Sequence, residues 1–223
     1  MSLIATGDPT LFSIVQLSLQ VSLTAVLLAS LIALPLGALI ALFRFPGRGV
    51  VITLLNALMG LPPVVAGLIV YLSLSRAGPL GQFGLLFTPT AMVIAQTLLV
   101  LPIIAALTRQ AIENLWEEYR EQLRSLGSGR IRAIPTLLWD ARITLTTVVL
   151  AGFGRASAEV GAVLIVGGNI EGVTRVMTTA IALETSRGDL PLALALGLIL
   201  LVLVALINGT AYLLGEITSR NMQ

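Results

Sequence analysis

Residues 11–43 carry no charged side chain, and the run ends at Arg44. That is longer than the roughly 20 apolar residues an α-helix needs to cross a bilayer. The stretch is therefore expected to be a membrane helix that is tilted, kinked near Pro35, or begun outside the lipid. Ser13, Ser18, Ser22, Thr24 and Ser30 can return their hydroxyls to helix carbonyls, so they cost little in lipid. Four more apolar stretches follow, over residues 50–75, 90–108, 143–166 and 192–214. In lipid every backbone polar group must be satisfied within the chain, which leaves the helix as the spanning element for runs of this length. The expected fold is all-α: a polytopic membrane protein of about five transmembrane helices, one domain over residues 1–223. The hydrophobic share of 57% exceeds the roughly 45–50% of soluble domains.

Several stretches depart from plain lipid-spanning sequence. Residues 1–10, with Asp8 and Pro9, are short and polar and lack the basic start of a cleaved signal peptide; they read as an exposed terminus. Met59, Gly60, Leu61, Pro62 and Pro63 remove two backbone donors in the middle of the second span. The sequence admits either a simple proline kink or an irregular backbone that shapes a path through the protein. In the fourth span Arg155 and Glu159 stand four residues apart, on one face of a continuous helix. Charges within a membrane are costly, so the pair is a packing device or part of a site. Residues 167–191 are mixed in polarity and too long for a turn. Within them Met177 to Leu183 is expected to form a short helix or a re-entrant segment at the membrane surface.

The composition excludes much chemistry. The chain has no cysteine and no histidine, which removes thiolate nucleophiles, imidazole bases and the usual zinc ligand sets. It has no lysine either, hence no Walker-type phosphate loop of its own. A net charge of +2 gives no case for nucleic acid. No metal site and no cofactor are expected in this chain, and no acid, base and nucleophile constellation supports an intramembrane enzyme. A proton-driven pump would call for an acidic or histidine relay, yet in the spans Glu159 stands alone with Arg155. Energy has to be imported.

Residues 113–142 are a polar island between apolar stretches. Ile112, Leu115, Trp116, Tyr119, Leu123 and Leu126 recur at helical spacing, with Glu117, Glu118, Arg120, Glu121 and Arg124 on the other face. A short amphipathic helix is expected, ended by the break at Gly127, Ser128 and Gly129 and followed by a second short apolar and basic segment. Such a unit can lay its apolar face in a groove of a soluble partner. Arginine placement sets the topology. The 44–48 turn, the island and the C-terminus hold Arg44, Arg48, Arg109, Arg120, Arg124, Arg130, Arg132, Arg142 and Arg220, against Arg76, Arg175 and Arg187 on the opposite side. The positive-inside rule then places the N-terminus outside and the C-terminus in the cytoplasm.

Glu121, Gln122, Leu123, Arg124, Ser125, Leu126, Gly127 and Ser128 resemble the EAA coupling motif of ABC importer permeases: Glu-Ala-Ala, three residues, then Gly. Gln122 and Leu123 stand in place of the alanines, and Trp139 with Asp140 where many members have Leu-Pro. Residues 152–189 closely resemble the tungstate-specific importer permeases, which are related to the molybdate and sulfate permeases, and the likeness extends over most of the chain. The resemblance implies a multi-pass permease subunit of a bacterial or archaeal cell membrane, of the type I importer fold, working as a homodimer. Two cytoplasmic ATPase subunits would bind the ATP and magnesium, and an external substrate-binding protein would deliver the cargo. Glu118, Glu121, Arg124, Ser125, Leu126, Gly127 and Ser128 would couple to the ATPase. The external loop 167–191, with Asn169, Glu171, Arg175 and Arg187, would face the binding protein.

A tetrahedral dianion in transit needs weak, dispersed donors rather than a tight clamp, because a site that holds too well does not release. Asn56, Pro62 with the backbone before it, Thr97, Ser157 and the Arg155–Glu159 pair are the candidates, each of which is more readily read as helix packing. The expected function is ATP-driven import of an oxyanion, tungstate first, with molybdate or sulfate as alternatives, by alternating access. A stand-alone channel or secondary carrier for small anions is the second reading.

Overall fold

The computed structural model describes residues 9–220. The first eight residues of the expected exposed terminus lie outside the described residues, and Pro9 and Thr10 already belong to the first helix. Among the described residues the regular structure is helical: α1 Pro9–Leu42, α2 Arg48–Met59, α3 Pro63–Leu74, α4 Pro89–Ser125, α5 Arg130–Asp140, α6 Arg142–Ser157, α7 Gly161–Gly167, α8 Met177–Arg187 and α9 Leu190–Arg220, with a 3₁₀ turn at Gly81–Phe83. Among the described residues three helices are long and apolar enough to cross a membrane, α1, α4 and α9, and the total reaches five if each of two bent helix pairs counts as one span.

The frame is the α1–α4 pair, which packs along most of its length. Small residues make the approach possible. Ala25, Ala29, Ala33 and Ala38 of α1 are fully buried, and a Cβ on Gly37 would sit 2.7 Å from the carbonyl oxygen of Ala105. In lipid, where apolar side chains gain little by leaving the solvent, close backbone packing of this kind is what holds helices together. Three core layers stack along the pair. The first joins Ala91, Met92 and Ala95 of α4 to α3 and α7, and the second joins Val100, Ile104 and Ala105 to α1, α2 and α6. The third sits around Ile112, where α5 closes over the end of α1. From Ala91 to Ile112 is about 31 Å of helix, the thickness of a hydrocarbon core.

Three expectations are corrected. The amphipathic segment is no separate helix, because α4 runs unbroken through Arg109 to Ser125. At 37 residues it extends about 55 Å, so its last third projects beyond the bilayer. Uncharged lipid-facing sequence ends at Arg109, but helical backbone bonds continue where the polar face meets water. The second span is two helices that meet at 103°, far more than a proline kink; Pro62 and Pro63 lack the donors that would carry the ladder across. Each half has 12 residues, about 18 Å, too short to span alone. The fourth span is also interrupted. α6 ends at Ser157 and α7 starts at Gly161, so Arg155 and Glu159 do not share a continuous helix. α6 is joined instead to α5, at 74°.

Candidate functional site

Two regions stand out by their geometry: the projecting end of α4 with α5, and the pair of helix interruptions.

At the projecting end, α4 closes in a left-handed turn. Gly127 has φ +70°; its amide donates to the carbonyl of Arg124 (3.0 Å), and that of Ser128 to the carbonyl of Leu123 (2.8 Å). This is a Schellman termination with glycine at the one position where a side chain is strained. It aims α5 back across α4. Leu115, Trp116, Tyr119 and Leu123 pack against a buried cluster that includes Ala133 and Leu137 of α5 and Leu42 of α1, so the apolar stripe up to Leu123 is filled from within the chain. What stays outside is the tip: Leu126 is 81% exposed and Ile131 70%, with Trp139 further along at 72%. Glu118, Glu121, Arg124 and Ser125 are exposed and Ser128 is half-buried. The carboxylates of Glu118 and then Asp140 hold the Tyr119 phenol above its ordinary value, since a second negative charge beside them is unfavourable.

The base of this projection is fixed by Glu113, which sequence reasoning did not single out for this role. Arg48 Nη2 donates to Glu113 Oε1 at 2.7 Å, and Arg109 Nη1 pairs with Oε2. Arg48 Nε also donates to the carbonyl of Ile40 at 2.9 Å. One glutamate thus locks α4 to the α1–α2 turn. The available signal was Glu113 four residues after Arg109, with a basic turn elsewhere in need of a partner.

The two helix interruptions lie against each other. A Cβ on Gly67 of α3 would sit 2.7 Å from Ala162 Cα in α7, and one on Gly161 would sit 3.1 Å from Val64 Cγ2. The α6–α7 interruption is held by side chains. Glu159, 3% exposed, accepts from Arg155 Nη1 on Oε2 at 2.9 Å and from the Ala162 amide on Oε1 at 3.0 Å, while its carbonyl accepts from Thr178 Oγ1 at 2.9 Å. The α2–α3 interruption has only backbone bonds: the Leu61 amide to Leu58, and the Val65 and Ala66 amides to Pro62.

The other path candidates divide. Asn56 and Pro62 are exposed on this chain. Thr97 donates to the carbonyl of Ala25 at 3.3 Å, a contact between α4 and α1. Ser157 Oγ is buried without a hydrogen-bond partner. It lines a cavity of about 10 Å³ together with Ser18, Ser22, Gln96 and Thr178, space for about one water. Gln96, buried in α4, was missed: Nε2 donates to the carbonyl of Ala156 at 3.0 Å while Oε1 has no partner. A single amide in an otherwise apolar run was the signal.

At the opposite end of the α1–α4 pair, α8 is a helix, and the Ser18 hydroxyl ties it to α1 by accepting from the Met177 amide at 2.7 Å. Glu171 pairs with Arg175 at 3.3 Å, and Arg187 with Glu184 at 3.0 Å. Asn169 holds a left-handed conformation, φ +51°. Glu171 and Arg175 line a cleft of about 220 Å³ with Ser13, Gln16 and Gln20. Among the described residues no group of histidine, cysteine, aspartate or glutamate could hold a metal ion.

Comparison with known proteins places this architecture. Residues 33–221 match the family described as binding-protein-dependent transport system inner membrane component. A tungstate uptake system permease protein of Peptoclostridium acidaminophilum is 43% identical over 97% of this chain and 95% of its own length. A permease of the same description from Campylobacter jejuni is 36% identical over 92% of this chain and 86% of its own. A molybdenum transport system permease of Escherichia coli is further off, 29% identical over 78% and 81%. The chain belongs to the binding-protein-dependent transport system inner membrane components, as an ABC permease subunit without catalytic activity of its own, in a family whose members work with a substrate-binding protein and an ATPase.

Proposed function

We propose that this chain forms the path by which tungstate enters the cell. The carrying observation is the likeness to tungstate uptake permeases, which covers 97% of this chain in the stronger case; molybdate and sulfate transport belong to relatives of 27–30% identity. The working unit is two copies of this chain with two ATPase subunits, which bind ATP and magnesium, and one external binding protein. The projecting end of α4 and α5 faces the cytoplasm and loop 167–191 faces outward, as the arginine distribution favours.

Coupling runs through residues 118–128. The exposed Leu126 and Ile131 seat in the ATPase, and closure on ATP binding pulls on a lever whose base is the Glu113 lock. Because the stripe from Leu115 to Leu123 is packed on α5 and α1, displacement of the tip moves α4 as a unit. α4 in turn carries both interruptions through the first and second core layers, so outward and inward opening alternate around Pro62 and the Arg155–Glu159 pair, with Asn56, Thr97 and Ser157 nearby.

The test is uptake into proteoliposomes holding the permease, its ATPase and its binding protein. ATP-driven tungstate uptake that resists competition by molybdate and sulfate is expected; equal uptake of all three would remove the tungstate assignment. Gly127→Val should leave ATP hydrolysis running while uptake falls at least about tenfold, because a β-branched residue in the left-handed region costs about 1–3 kcal/mol and re-aims the tip. Full uptake by that variant, or uptake with no ATPase present, would sink the coupling reading.

A further inference from the structure

The base of the projecting end holds a strongly cationic pocket, two of whose arginines, Arg120 and Arg124, fall within the coupling stretch proposed above. It measures about 200 Å³ and is lined by Arg44, Arg48, Arg120, Arg124 and Arg130. Only two carboxylates share it, Glu113 and Glu117, and Glu113 is already held by Arg48 and by Arg109 outside the pocket. Arg44, Arg120, Arg124 and Arg130 form no ion pair among the described residues. Guanidinium groups gathered this closely repel one another unless an anion sits among them.

Depth and surroundings say which anion. Glu113 and Trp116 stand one and two turns beyond Arg109, the first charge after the uncharged stretch of α4, which is about 6–10 Å of helix and matches the headgroup layer. The apolar part of the pocket lining is Ala41, Leu42 and Trp116. α2 starts at Arg48 and leads away from the pocket with Val50 and Leu54, 72% and 57% exposed, four residues apart on one face. Charge at one end and an open apolar strip running from it fit a headgroup with its acyl chains. A free anion would use only the first. Basic pockets between helices on the cytoplasmic side of a membrane are where acidic headgroups bind.

We propose that the pocket of Arg44, Arg48, Arg120, Arg124 and Arg130 binds the phosphate headgroup of an anionic lipid, whose chains lie along α2. The bound lipid neutralises the base of the lever and ties its Glu113 lock to the membrane surface. The inference rests on the reading that this end faces the cytoplasmic leaflet, but not on the identity of the cargo.

The permease–ATPase complex, reconstituted in phosphatidylcholine with and without phosphatidylglycerol, tests it by native mass spectrometry of retained lipid. Wild type is expected to keep phosphatidylglycerol in preference to phosphatidylcholine. Arg44→Gln with Arg120→Gln should weaken retention by on the order of 30-fold, from a contribution of about fivefold per arginine near an anionic surface. Arg132→Gln, on an exposed arginine outside the pocket, should retain lipid as wild type does. Equal retention of both lipids by wild type overturns the proposal without any variant having to fold. So does unchanged retention in the double variant, including the case where that variant loses the ATPase and the pocket is a protein contact. Displacement of the lipid by excess inorganic phosphate would assign the pocket to a free anion instead. None of these outcomes bears on ATP-driven tungstate uptake, which would stand or fall on the transport assay alone.

Discussion

The two helix interruptions touch, yet they are built differently. Between α6 and α7 the helix is interrupted around a buried glutamate whose two carboxylate oxygens and backbone carbonyl are all occupied, by Arg155, the Ala162 amide and Thr178. Between α2 and α3 the chain turns through 103° at Gly60, Leu61, Pro62 and Pro63, which have no side chain able to hydrogen-bond, leaving only prolines that cannot donate and a few backbone bonds. The first is a joint held by a charged side chain, and the second is one whose angle is specified by what is missing. A joint of the first kind resists bending, because each degree lost strains a bond in low dielectric. One of the second kind yields at small cost. On this contrast movement is expected at α2 and α3, against a fixed reference in α6 and α7.

The largest expected effect comes from removing the pin. Glu159→Ala leaves Arg155 without its carboxylate and the first turn of α7 without an acceptor. Loss of one partner of a buried pair costs about 3–5 kcal/mol, and since the Arg155 side chain is 33% exposed about 2–3 kcal/mol is expected here. Thermal unfolding of the detergent-purified chain should shift down by several degrees, and uptake should fall with it. Glu159→Gln keeps an oxygen for the Ala162 amide and should lose about half as much. Unfolding of Glu159→Ala at the wild-type temperature would mean the joint is held by packing alone, and the contrast between the two interruptions would collapse.

Next in size is the contact between the joints. Gly67→Val places a Cβ 2.7 Å from Ala162 Cα, a backbone atom that cannot rotate away. Overpacking of this kind costs about 1–3 kcal/mol. The same change at Gly49, where a Cβ meets nothing within 4 Å, should be nearly silent in the same unfolding measurement. Should the two variants match, α3 and α7 do not bear on each other in the membrane.

How much of this was visible beforehand follows from what each signal measures. Hydropathy reports where lipid is tolerated, so the uncharged run of α1 and the all-helical class were legible, as was the sequence likeness that leads to the family. It does not report helix continuity across a polarity boundary: the helical backbone of α4 is indifferent to the change at Arg109, where the apolar span was expected to end. Nor does four-residue spacing establish a shared helix. Arg155 and Glu159 do pair, as read, but by reaching over a break that Ala158 and Val160 give no obvious sign of. Gly127 was legible as a turn because a left-handed C′ position asks for glycine. The Glu113 lock was not, since its second arginine comes from 65 residues away and only the folded α1–α2 turn brings it near.

The smallest expected effect falls at the unpinned joint and is the most discriminating. Pro62→Ala restores a backbone donor and frees the chain before folding, so stability should change by less than about 1 kcal/mol. If prolines merely decorate a bend that packing would impose anyway, uptake should follow stability and stay near wild type. If the missing donors set the angle, the restored amide lets α2 extend toward α3 and shifts the balance between outward and inward openings. Uptake would then change severalfold while the unfolding temperature barely moved. That separation of transport from stability is the signature of a compliant joint. At the pinned joint the opposite holds: Glu159→Ala should lower both together, because there the bonds that pin the joint are the same ones that hold the fold.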